Sequence, residues 1–303
     1  MIEAKLSPAV AEALNTGGAV VALESTLIAH GLPYPDNLAV AKQLEDDVAA
    51  NGAVPATIAV INGQIKVGLT EQDLEVISHG ESIRKIGPRD LPAVISKKES
   101  AATTVASTSA IAHSVGIKLF ATGGLGGVHR EANLSFDESA DLSTLAETPI
   151  AVVAAGVKSI LDVPATLERL ETLGVLVVGY QTLKFPGFYQ TESGYDLEWQ
   201  FDSPSEVADL IKTHSNLETQ SAIVVANPVC KDLELPKQLH DDVLAAGMTA
   251  AKQAGISGKQ ATPFLLEFFH RETKGESLRV NIDVVRSNAK LAANIAAALG
   301  QLR

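Results

Sequence analysis

A lysine stands directly behind one of the most apolar stretches of the chain. Residues 154–162 read AAGVKSILD, and Lys158 follows the run PIAVV at 149–153. A desolvated lysine amine stays partly neutral and can form a Schiff base with a carbonyl carbon, whereas most loop lysines are simply solvated. The residues at the other predicted strand ends help to distinguish a nucleophilic Lys158 from a solvated one.

A carboxylate occupies a matching place behind another apolar stretch. The segment VALESTLIAHG (21–31) puts Glu24 at the end of a predicted strand. Open α/β sheets bind ligands at the carboxyl ends of their strands, and desolvation there raises the pKa of a carboxyl group, as a general acid requires. An ordinary edge carboxylate would show the same pattern, so Glu24 alone is weak evidence for catalysis.

A glycine-rich run follows a third predicted strand. TGGLGGVHR (122–130) lacks the third glycine of a dinucleotide-binding loop and has no Gly-Lys-Ser/Thr of a P-loop. Four glycines in five residues still bring backbone N–H groups together, as in an anion cradle, although a flexible turn would look the same. His129 and Arg130, just beyond the run, favour an anion site.

Three carboxylates cluster in FDESADL (136–142). The spacing resembles the start of an EF-hand loop, but its sixth position is Leu142 rather than glycine, which excludes that type of calcium site. Asp137, Glu138 and Asp141 could hold a hard divalent cation such as Mg²⁺ or Mn²⁺ through oxygen. Acidic residues at a helix N-terminus explain the cluster equally well.

Short apolar runs alternate with longer amphipathic ones, which indicates how these residues are positioned. Six runs are β-rich and almost continuously apolar, as strands buried on both faces are: 19–23, 56–61, 118–122, 150–155, 175–180 and 222–227. Helices are predicted from Asp36 to the residue before Gly52 and from Asp162 to the residue before Gly174. This alternation implies a mostly parallel sheet in an α/β/α layering.

Two segments depart from the alternation. VINGQIKV places Asn62-Gly63 between β-formers, which predicts a type I′ hairpin. The last third of the chain turns helical, with Ala-rich amphipathic stretches at 236–255, 262–272 and 277–300. The expected fold class is therefore α/β, an α/β/α layered mostly parallel sheet with a small hairpin and a helical C-terminal cover.

Composition and charge exclude several classes of partner. The 303 residues carry a net charge of −12, whereas nucleic acids and anionic membranes need clustered Lys and Arg. A phosphorylated small molecule needs only a local pocket. The single cysteine, Cys230, excludes an intramolecular disulfide and has no obvious base to activate it. With no signal-peptide pattern and no run near the ~20 apolar residues that cross a bilayer, we expect a cytoplasmic protein with a single domain over residues 1–303.

The same stretches, in the same order, resemble a known family, that of pseudouridine-5′-phosphate glycosidase and the indigoidine synthase A-like proteins. The matching motifs cover nearly the whole chain: VALESTLIAHGLPYP (21–35), NGAVPATIAVINGQIKVGL (51–69), KIGPRDLP (85–92), ATTVAST (102–108), FATGGLGGVHR (120–130), SADL (139–142), AGVKSILD (155–162), FPGFY (185–189), VVANP (224–228), TPFLL (262–266) and ESLRVNI (276–282). Several long motifs in fixed order are far more specific than any single one.

The resemblance implies an enzyme that reversibly cleaves the C–C glycosidic bond of pseudouridine 5′-phosphate, giving uracil and ribose 5-phosphate. It implies a divalent metal, typically Mn²⁺, and a homotrimer. By motif position the proton donor is Glu24, the nucleophile is Lys158 and the metal ligand is Asp137. The implied substrate-binding residues are Lys85, Val105, Ser139, Ala140, Asp141 and Asn281. We expect Thr122 to bind substrate as well, with the phosphate near it and the glycine run, partly because backbone N–H groups come together there.

The chemistry of a carbon-linked base explains the need for a lysine. Ordinary glycosidases use two carboxylates and expel an oxygen leaving group, but a carbon-linked uracil leaves far less readily. Our hypothesis is that Glu24 assists opening of the ribose ring and that Lys158 captures C1′ as an iminium. Uracil would then leave as a stabilised carbanion in a retro-Mannich-type step, and hydrolysis would return the lysine.

Two positions depart from the pattern of the family. Glu138 stands where an isoleucine is expected, and it either tightens metal binding or faces solvent. Val229-Cys230-Lys231 stands where a proline and acidic residues are expected, which puts the local conformation in doubt. Two other functions stay open: a non-catalytic protein that binds nucleotides or sugar phosphates, and a related enzyme of an indigoidine pathway on the same scaffold.

Overall fold

The computed structural model of the protein describes residues 3–79, 83–256 and 261–302. The strands are β1 (Lys5–Leu6), β2 (Val20–Leu23), β3 (Val54–Ile61), β4 (Gln64–Val67), β5 (Arg84–Ile86), β6 (Ala101–Thr103), β7 (Leu119–Ala121), β8 (Ala151–Ala154), β9 (Leu176–Tyr180), β10 (Gln200–Phe201) and β11 (Ile223–Ala226). The helices are α1 (Pro8–Thr16), α2 (Asp36–Ala50), α3 (Glu71–Ser78), α4 (Leu91–Ser96), α5 (Val105–Ser114), α6 (Ala132–Ser135), α7 (Ala140–Ala146), α8 (Val163–Thr172), α9 (Pro204–Asn216), α10 (Lys237–Gln253), α11 (Ala261–Glu272) and α12 (Glu276–Gln301). A π-helical turn spans Leu27–Gly31, and 3₁₀ turns span Pro88–Asp90 and Lys231–Leu233.

The strands form one mixed, mostly parallel sheet. Its order is β1-β4-β3-β2-β7-β8-β11-β9-β10, with β6 pairing both β3 and β5. Only the β3–β4 and β3–β6 pairs among the described strands are antiparallel. All six predicted strands are present within two residues of their expected limits, because each is an apolar run that must be covered on both faces.

Helices cover the sheet on both faces, as the alternating pattern predicts. On β2, Val20 and Ala22 belong to one core while Val21 and Leu23 belong to the other. Helices α1, α4, α5, α7 and α8 contribute to the first core, and α2, α9 and α12 to the second. The fold class expected from the sequence is therefore confirmed.

The predicted hairpin and helix ends are confirmed by the backbone. Asn62 and Gly63 both have positive φ, 50° and 76°, as a type I′ turn between β3 and β4 requires. Helix α2 begins at Asp36. Helix α8 is capped by Asp162, whose Oδ1 accepts a hydrogen bond from the Ala165 N–H at 3.1 Å.

The helical C-terminal cover packs on the residues that leave the sheet. Side chains of α10, α11 and α12 share a core with Ala155 and Val157, which follow β8, and with Phe185 and Phe188, which follow β9. This part of the molecule closes one side of the cavity described below. Within the described ranges, no helix combines the length and the apolarity needed to span a membrane.

Candidate active site

Three neighbouring parallel strands end at one edge of the sheet. Leu23 of β2 pairs with Ala121 of β7, and Ala121 pairs with Val153 of β8. Because the strands run in the same direction and in register, the segments after them meet. Glu24, the glycine run and the segment of Lys158 therefore surround one space, as expected from their positions behind predicted strands.

That space is a cavity of about 660 Å³. Every residue predicted as catalytic, metal-binding or substrate-binding lines it except Thr122. The lining residues are Glu24, Thr26, Leu27, His30, Gly31, Lys85, Gly87, Arg89, Asp90, Thr104, Val105, Gly123, Gly124, Gly126, His129, Asp137, Glu138, Ser139, Ala140, Asp141, Lys158, Leu161, Phe188, Thr262, Pro263, Leu266, Asn281 and Val285. A volume of this order suits a phosphorylated nucleoside or a ligand of similar size.

Glu24 is held where its carboxyl group favours protonation. Its Oε1 accepts a hydrogen bond from the buried Thr122 hydroxyl. Burial raises the pKa of Glu24, while the positive charge of Lys158 and the Thr122 hydrogen bond counteract part of that rise. The nearby Asp141 carboxylate raises the pKa further. A carboxyl group with a raised pKa is suited to donate a proton near neutral pH.

Lys158 is fixed through its backbone to the glycine run. Its N–H donates to the Leu125 carbonyl oxygen at 3.1 Å, and its own carbonyl accepts from the Leu161 N–H at 2.9 Å. The Leu125 N–H in turn donates to Gly156 O at 2.9 Å. The half-buried side chain lines the cavity, and its charge acts on the Glu24 carboxyl. A candidate acid and a candidate nucleophile thus share one chamber.

The glycines of the run allow close packing. A Cβ on Gly124 would lie 2.6 Å from the Phe188 ring, and one on Gly126 would lie 2.3 Å from the Ser139 hydroxyl. A Cβ on Gly127 would meet Thr166 Oγ1 at 2.4 Å. Any larger residue at these three positions would force neighbouring side chains or backbone to move.

Protein groups accept hydrogen bonds from several amides of the run, and an anion cradle built on its other amides stays a prediction. The N–H groups of 125, 126, 128 and 129 donate to Gly156 O, Asp141 Oδ2, Thr166 Oγ1 and Asp137 O. The Arg130 side chain does not line the cavity and donates to the Ser159 and Ile160 carbonyl oxygens at 3.5 and 3.3 Å. Sequence spacing could not reveal these long-range partners.

Asp141 joins two walls of the cavity. Its Oδ1 accepts from the Ala106 N–H at 2.9 Å, in the first turn of α5, and its Oδ2 accepts from the Gly126 N–H at 2.8 Å. The Ser139 Oγ accepts from the Asp141 N–H at 3.2 Å and caps α7. Because Val105 opens α5, this carboxylate aligns a predicted substrate-binding residue with the glycine run. Ala140 and Asn281 complete the set of predicted residues on the lining.

Few potential metal ligands lie near Asp137 among the described residues. The Asp137 Oδ2 lies 3.7 Å from Nδ1 of His129. Burial lowers the pKa of His129, the Asp137 charge offsets part of that change, and the Lys85 charge lowers the pKa further. Across residues 3–79, 83–256 and 261–302, no group of three or more His, Cys, Asp or Glu side chains is arranged to hold a metal ion. These residues fit a hydrated divalent cation held by one carboxylate, as Mg²⁺ often is, and do not fit a closed cage.

The two departures from the family pattern are accommodated by ion pairs. Glu138 Oε2 accepts from Arg169 Nε at 3.0 Å, so its charge is engaged by α8 even though the residue lines the cavity. Lys231 Nζ lies 2.6 Å from Glu234 Oε1 within the turn that follows the exposed Cys230.

Residues that the sequence analysis did not single out form a buried polar chain behind Thr122. Asn288 Nδ2 donates to the Thr122 carbonyl oxygen at 2.7 Å, and Asn288 Oδ1 accepts from Asn227 Nδ2 at 2.9 Å. One signal was available: an asparagine seven residues after Asn281 on the apolar face of an Ala-rich helix. Arg89 and His30, which also line the cavity, carried no comparable signal.

Comparisons with known proteins identify the family of the chain. The family model described as indigoidine synthase A like protein matches residues 9–298. A relative from Salinispora tropica, named pseudouridine-5′-phosphate glycosidase, is 55% identical over 95% of this chain and 90% of its own length. One from Frankia alni with the same name is 57% identical over 97% of this chain and 81% of its own.

Two solved structures share the fold. The crystal structure of the prealnumycin C-glycosynthase AlnA in complex with ribulose 5-phosphate is 32% identical and superposes with a TM-score of 0.91, covering 98% of this chain and 97% of that one. An indigoidine synthase A-like protein from Thermotoga maritima is 33% identical with a TM-score of 0.87, covering 94% of each chain. The chain therefore belongs to the indigoidine synthase A-like family.

Proposed function

We propose that the protein reversibly cleaves the C–C glycosidic bond of pseudouridine 5′-phosphate to give uracil and ribose 5-phosphate. The observation that carries this proposal is the pairing of Glu24 and Lys158 in one cavity, where burial raises the pKa of the acid beside an amine. The relatives named pseudouridine-5′-phosphate glycosidase support the choice of substrate. The AlnA complex supports a sugar phosphate as the class of ligand.

The first step opens the sugar ring. Protonated Glu24 donates its proton to the ring oxygen as the bond from C1′ to that oxygen breaks, and the uracil ring accommodates the positive charge at C1′. The Lys158 amine adds to C1′ and forms a C–N bond. A raised pKa keeps Glu24 protonated for this step, because only the acid form can donate.

The second step releases the base. The Glu24 carboxylate left by the first step takes a proton from the C1′-bound ammonium, which restores the nitrogen lone pair of Lys158. That lone pair forms a C=N bond to C1′, and the electrons of the C1′–C5 bond leave with uracil, whose carbonyl groups stabilise the negative charge. A proton then adds to C5 of uracil. Water hydrolyses the iminium to ribose 5-phosphate and restores the amine, so atoms and electrons balance without an oxidant or reductant.

The phosphate needs positive charge that the glycine run does not supply. The lysine and arginine side chains among the described lining residues are Lys85, Arg89 and Lys158. Because Lys158 is assigned to C1′, we place the phosphate beside Lys85 and Arg89 rather than at Thr122, whose hydroxyl is engaged by Glu24. Arg89→Ala should raise KM more than Arg84→Ala, since Arg84 is an exposed partner of Glu99 outside the cavity.

A divalent cation, expected to be Mn²⁺, belongs to this proposal. Asp137 would hold it, and the bound ion would supply positive charge to oxygen atoms of the substrate. The half-buried Asp137 carboxylate, beside a His129 ring whose pKa is lowered, supports a site with most positions left for water or substrate. The homotrimer implied by the resemblance is likewise proposed, and light scattering coupled to gel filtration measures it.

Product analysis tests the function. The protein is mixed with pseudouridine 5′-phosphate, with Mn²⁺ in one sample and a chelator in the other, and uracil and ribose 5-phosphate are quantified by chromatography. Metal-dependent release of both products in equal amounts is expected. Binding without turnover by a folded protein would instead support the non-catalytic alternative, and Lys158→Ala would then leave the behaviour unchanged.

A further inference from the structure

A continuous chain of buried polar groups ends at the candidate acid. It starts at Asn227 after β11, passes through Asn288 on α12 and the backbone of Thr122 after β7, and reaches the carboxyl of Glu24 after β2. We propose that Asn288 is a positioning residue for Glu24, acting through Thr122. This inference deepens the proposed function and rests on it.

The first link fixes the peptide that carries the Thr122 hydroxyl. Asn288 Nδ2 donates to Thr122 O at 2.7 Å and lies 3.5 Å from Gly123 O. The Thr122 N–H donates to Val153 O at 3.0 Å, so the residue is held from both of its peptide groups. With the backbone fixed in this way, the hydroxyl is directed at Glu24 Oε1.

The second link fixes the orientation of the Asn288 amide. Asn227 Nδ2 donates to Asn288 Oδ1 at 2.9 Å and to Ser287 Oγ at 3.1 Å. A side-chain amide could otherwise turn over and present its oxygen to the Thr122 carbonyl, where two acceptors would face each other. The Asn227 N–H donates to Ala154 O at 2.9 Å, so the chain is anchored to the same strand end that leads to Lys158.

Burial makes these links costly to break. Asn288 is fully buried, and Thr122 is 1% exposed. Side chains on the same face of α12 contact the glycine run, since a Cβ on Gly123 would lie 2.8 Å from Val285 and 3.2 Å from Asn281 Oδ1. Helix α12 therefore carries a cavity-lining asparagine and, two turns later, the asparagine that aligns the acid.

A positioning role of Asn288 can be distinguished from a purely structural one, because positioning affects the pKa of Glu24. Burial holds the pKa of Glu24 above its usual range, and the nearby Asp141 charge raises it as well. The Lys158 charge, the Thr122 hydroxyl and the Lys85 charge each lower that pKa by stabilising the charged form. If Asn288 aligns that hydroxyl, its loss removes a group that lowers the pKa. The alkaline limb of kcat, where protonated Glu24 is lost, should then move to higher pH.

The test compares pH profiles of kcat for uracil release by the wild type, Asn288→Leu, Thr122→Val and the double variant, with Mn²⁺ present. We expect Asn288→Leu to lower kcat by about 10- to 100-fold with little change in KM, as misplacement of a catalytic group does. Both single variants should shift the alkaline limb upward. The double variant should be no less active than the less active of the two single variants, because both changes break the same chain of hydrogen bonds.

Two further variants keep the test decisive. Val10→Ala removes buried methyl groups in α1, away from the cavity, and should leave the pH profile unchanged. If Asn288→Leu does not fold, Asn227→Ala should shift the alkaline limb in the same direction by a smaller amount. A wild-type alkaline limb in Asn288→Leu or Asn227→Ala, or multiplicative losses in the double variant, would overturn the inference. An inactive wild type would instead count against the proposed function.

Discussion

The two ends of the glycine run are built in opposite ways. At the Thr122 end, the hydroxyl, the backbone carbonyl and the Glu24 carboxyl all have protein partners, and Asn288 behind them is fully buried. At the far end, Asp137 is half-buried beside a His129 ring at 3.7 Å and follows Phe136, whose φ is +56° and which is 88% exposed.

The difference shows which half of the chemistry the fold prepares in advance. An acid that must donate a proton at one atom gains from donors and acceptors that are already aligned. A cation site with one protein carboxylate is completed by water and substrate instead. We infer that the proposed proton transfer from Glu24 is preorganised, whereas the cation site proposed at Asp137 would be completed by water and substrate.

Lys158→Arg should have the largest effect on kcat, because it removes the proposed nucleophile. Arginine keeps the positive charge beside Glu24 but cannot act as an amine nucleophile, because its guanidinium stays protonated. We expect kcat for uracil release to fall by about 10⁴-fold or more. Retention of more than one tenth of the wild-type rate by a folded variant would show that charge alone is needed.

Glu24→Gln should affect both kcat and thermal stability, and the two effects have different physical causes. Removing the proton donor should lower kcat by about 10²- to 10⁴-fold. A pKa raised by folding means that the ionised carboxyl is disfavoured in the native state, so its destabilising effect grows as pH rises through the raised pKa.

Glutamine has no such charge, and its effect on thermal stability therefore depends on pH. We expect Tm of Glu24→Gln to exceed that of the wild type by about 1 to 4 °C at pH 8 and to match it near pH 4. Differential scanning fluorimetry at the two pH values measures this. A lower Tm at pH 8 would mean that the pairing of Glu24 with Lys158 outweighs the burial of the charge.

Asp137→Asn tests the other end of the glycine run, where the cation is proposed to bind. The substitution keeps the shape of the side chain and removes its charge, so the Mn²⁺ concentration that gives half-maximal activity should rise at least about tenfold. The pH profile of kcat at saturating Mn²⁺ should stay that of the wild type, since the Glu24 end is untouched. A shifted alkaline limb would show that the two ends are coupled.

Glu138→Gln should have the smallest effect. Its partner Arg169 is 3.0 Å away and both side chains are more than a third exposed, a setting in which ion pairs contribute about 0.2 to 1 kcal/mol. We expect a change in the free energy of unfolding of less than about 1 kcal/mol and an unchanged Mn²⁺ requirement. A clear change in that requirement would place Glu138 in the metal site.

Local pattern predicted the parts of the fold that local physics controls. Continuous apolar runs indicated strands covered on both faces, and Asn62-Gly63 indicated the hairpin, because asparagine and glycine adopt φ > 0 more readily than other residues do. Glu24 and Lys158 were predicted to meet because parallel strands bring their carboxyl ends to one edge. Each of these predictions needed only periodicity and direction.

The predictions that needed long-range contacts were incomplete. Spacing predicted an anion cradle at the glycine run, but it did not show that Asp141 and Thr166 each accept from one of its amides or that Phe188 packs on Gly124. Asn288 was missed because its partners lie more than 60 residues away in sequence. Packing across the sheet decides such roles, and it becomes visible only in three dimensions.

Covalent trapping on Lys158 tests the central claim most directly. The protein is incubated with ribose 5-phosphate or pseudouridine 5′-phosphate, treated with borohydride, digested and examined by peptide mass spectrometry. We predict a reduced pentose 5-phosphate adduct on the peptide that contains Lys158, absent from Lys158→Arg and formed more slowly in Glu24→Gln. Uracil release by the wild type without any adduct on Lys158, or with an adduct on another lysine, would contradict the assignment of the nucleophile.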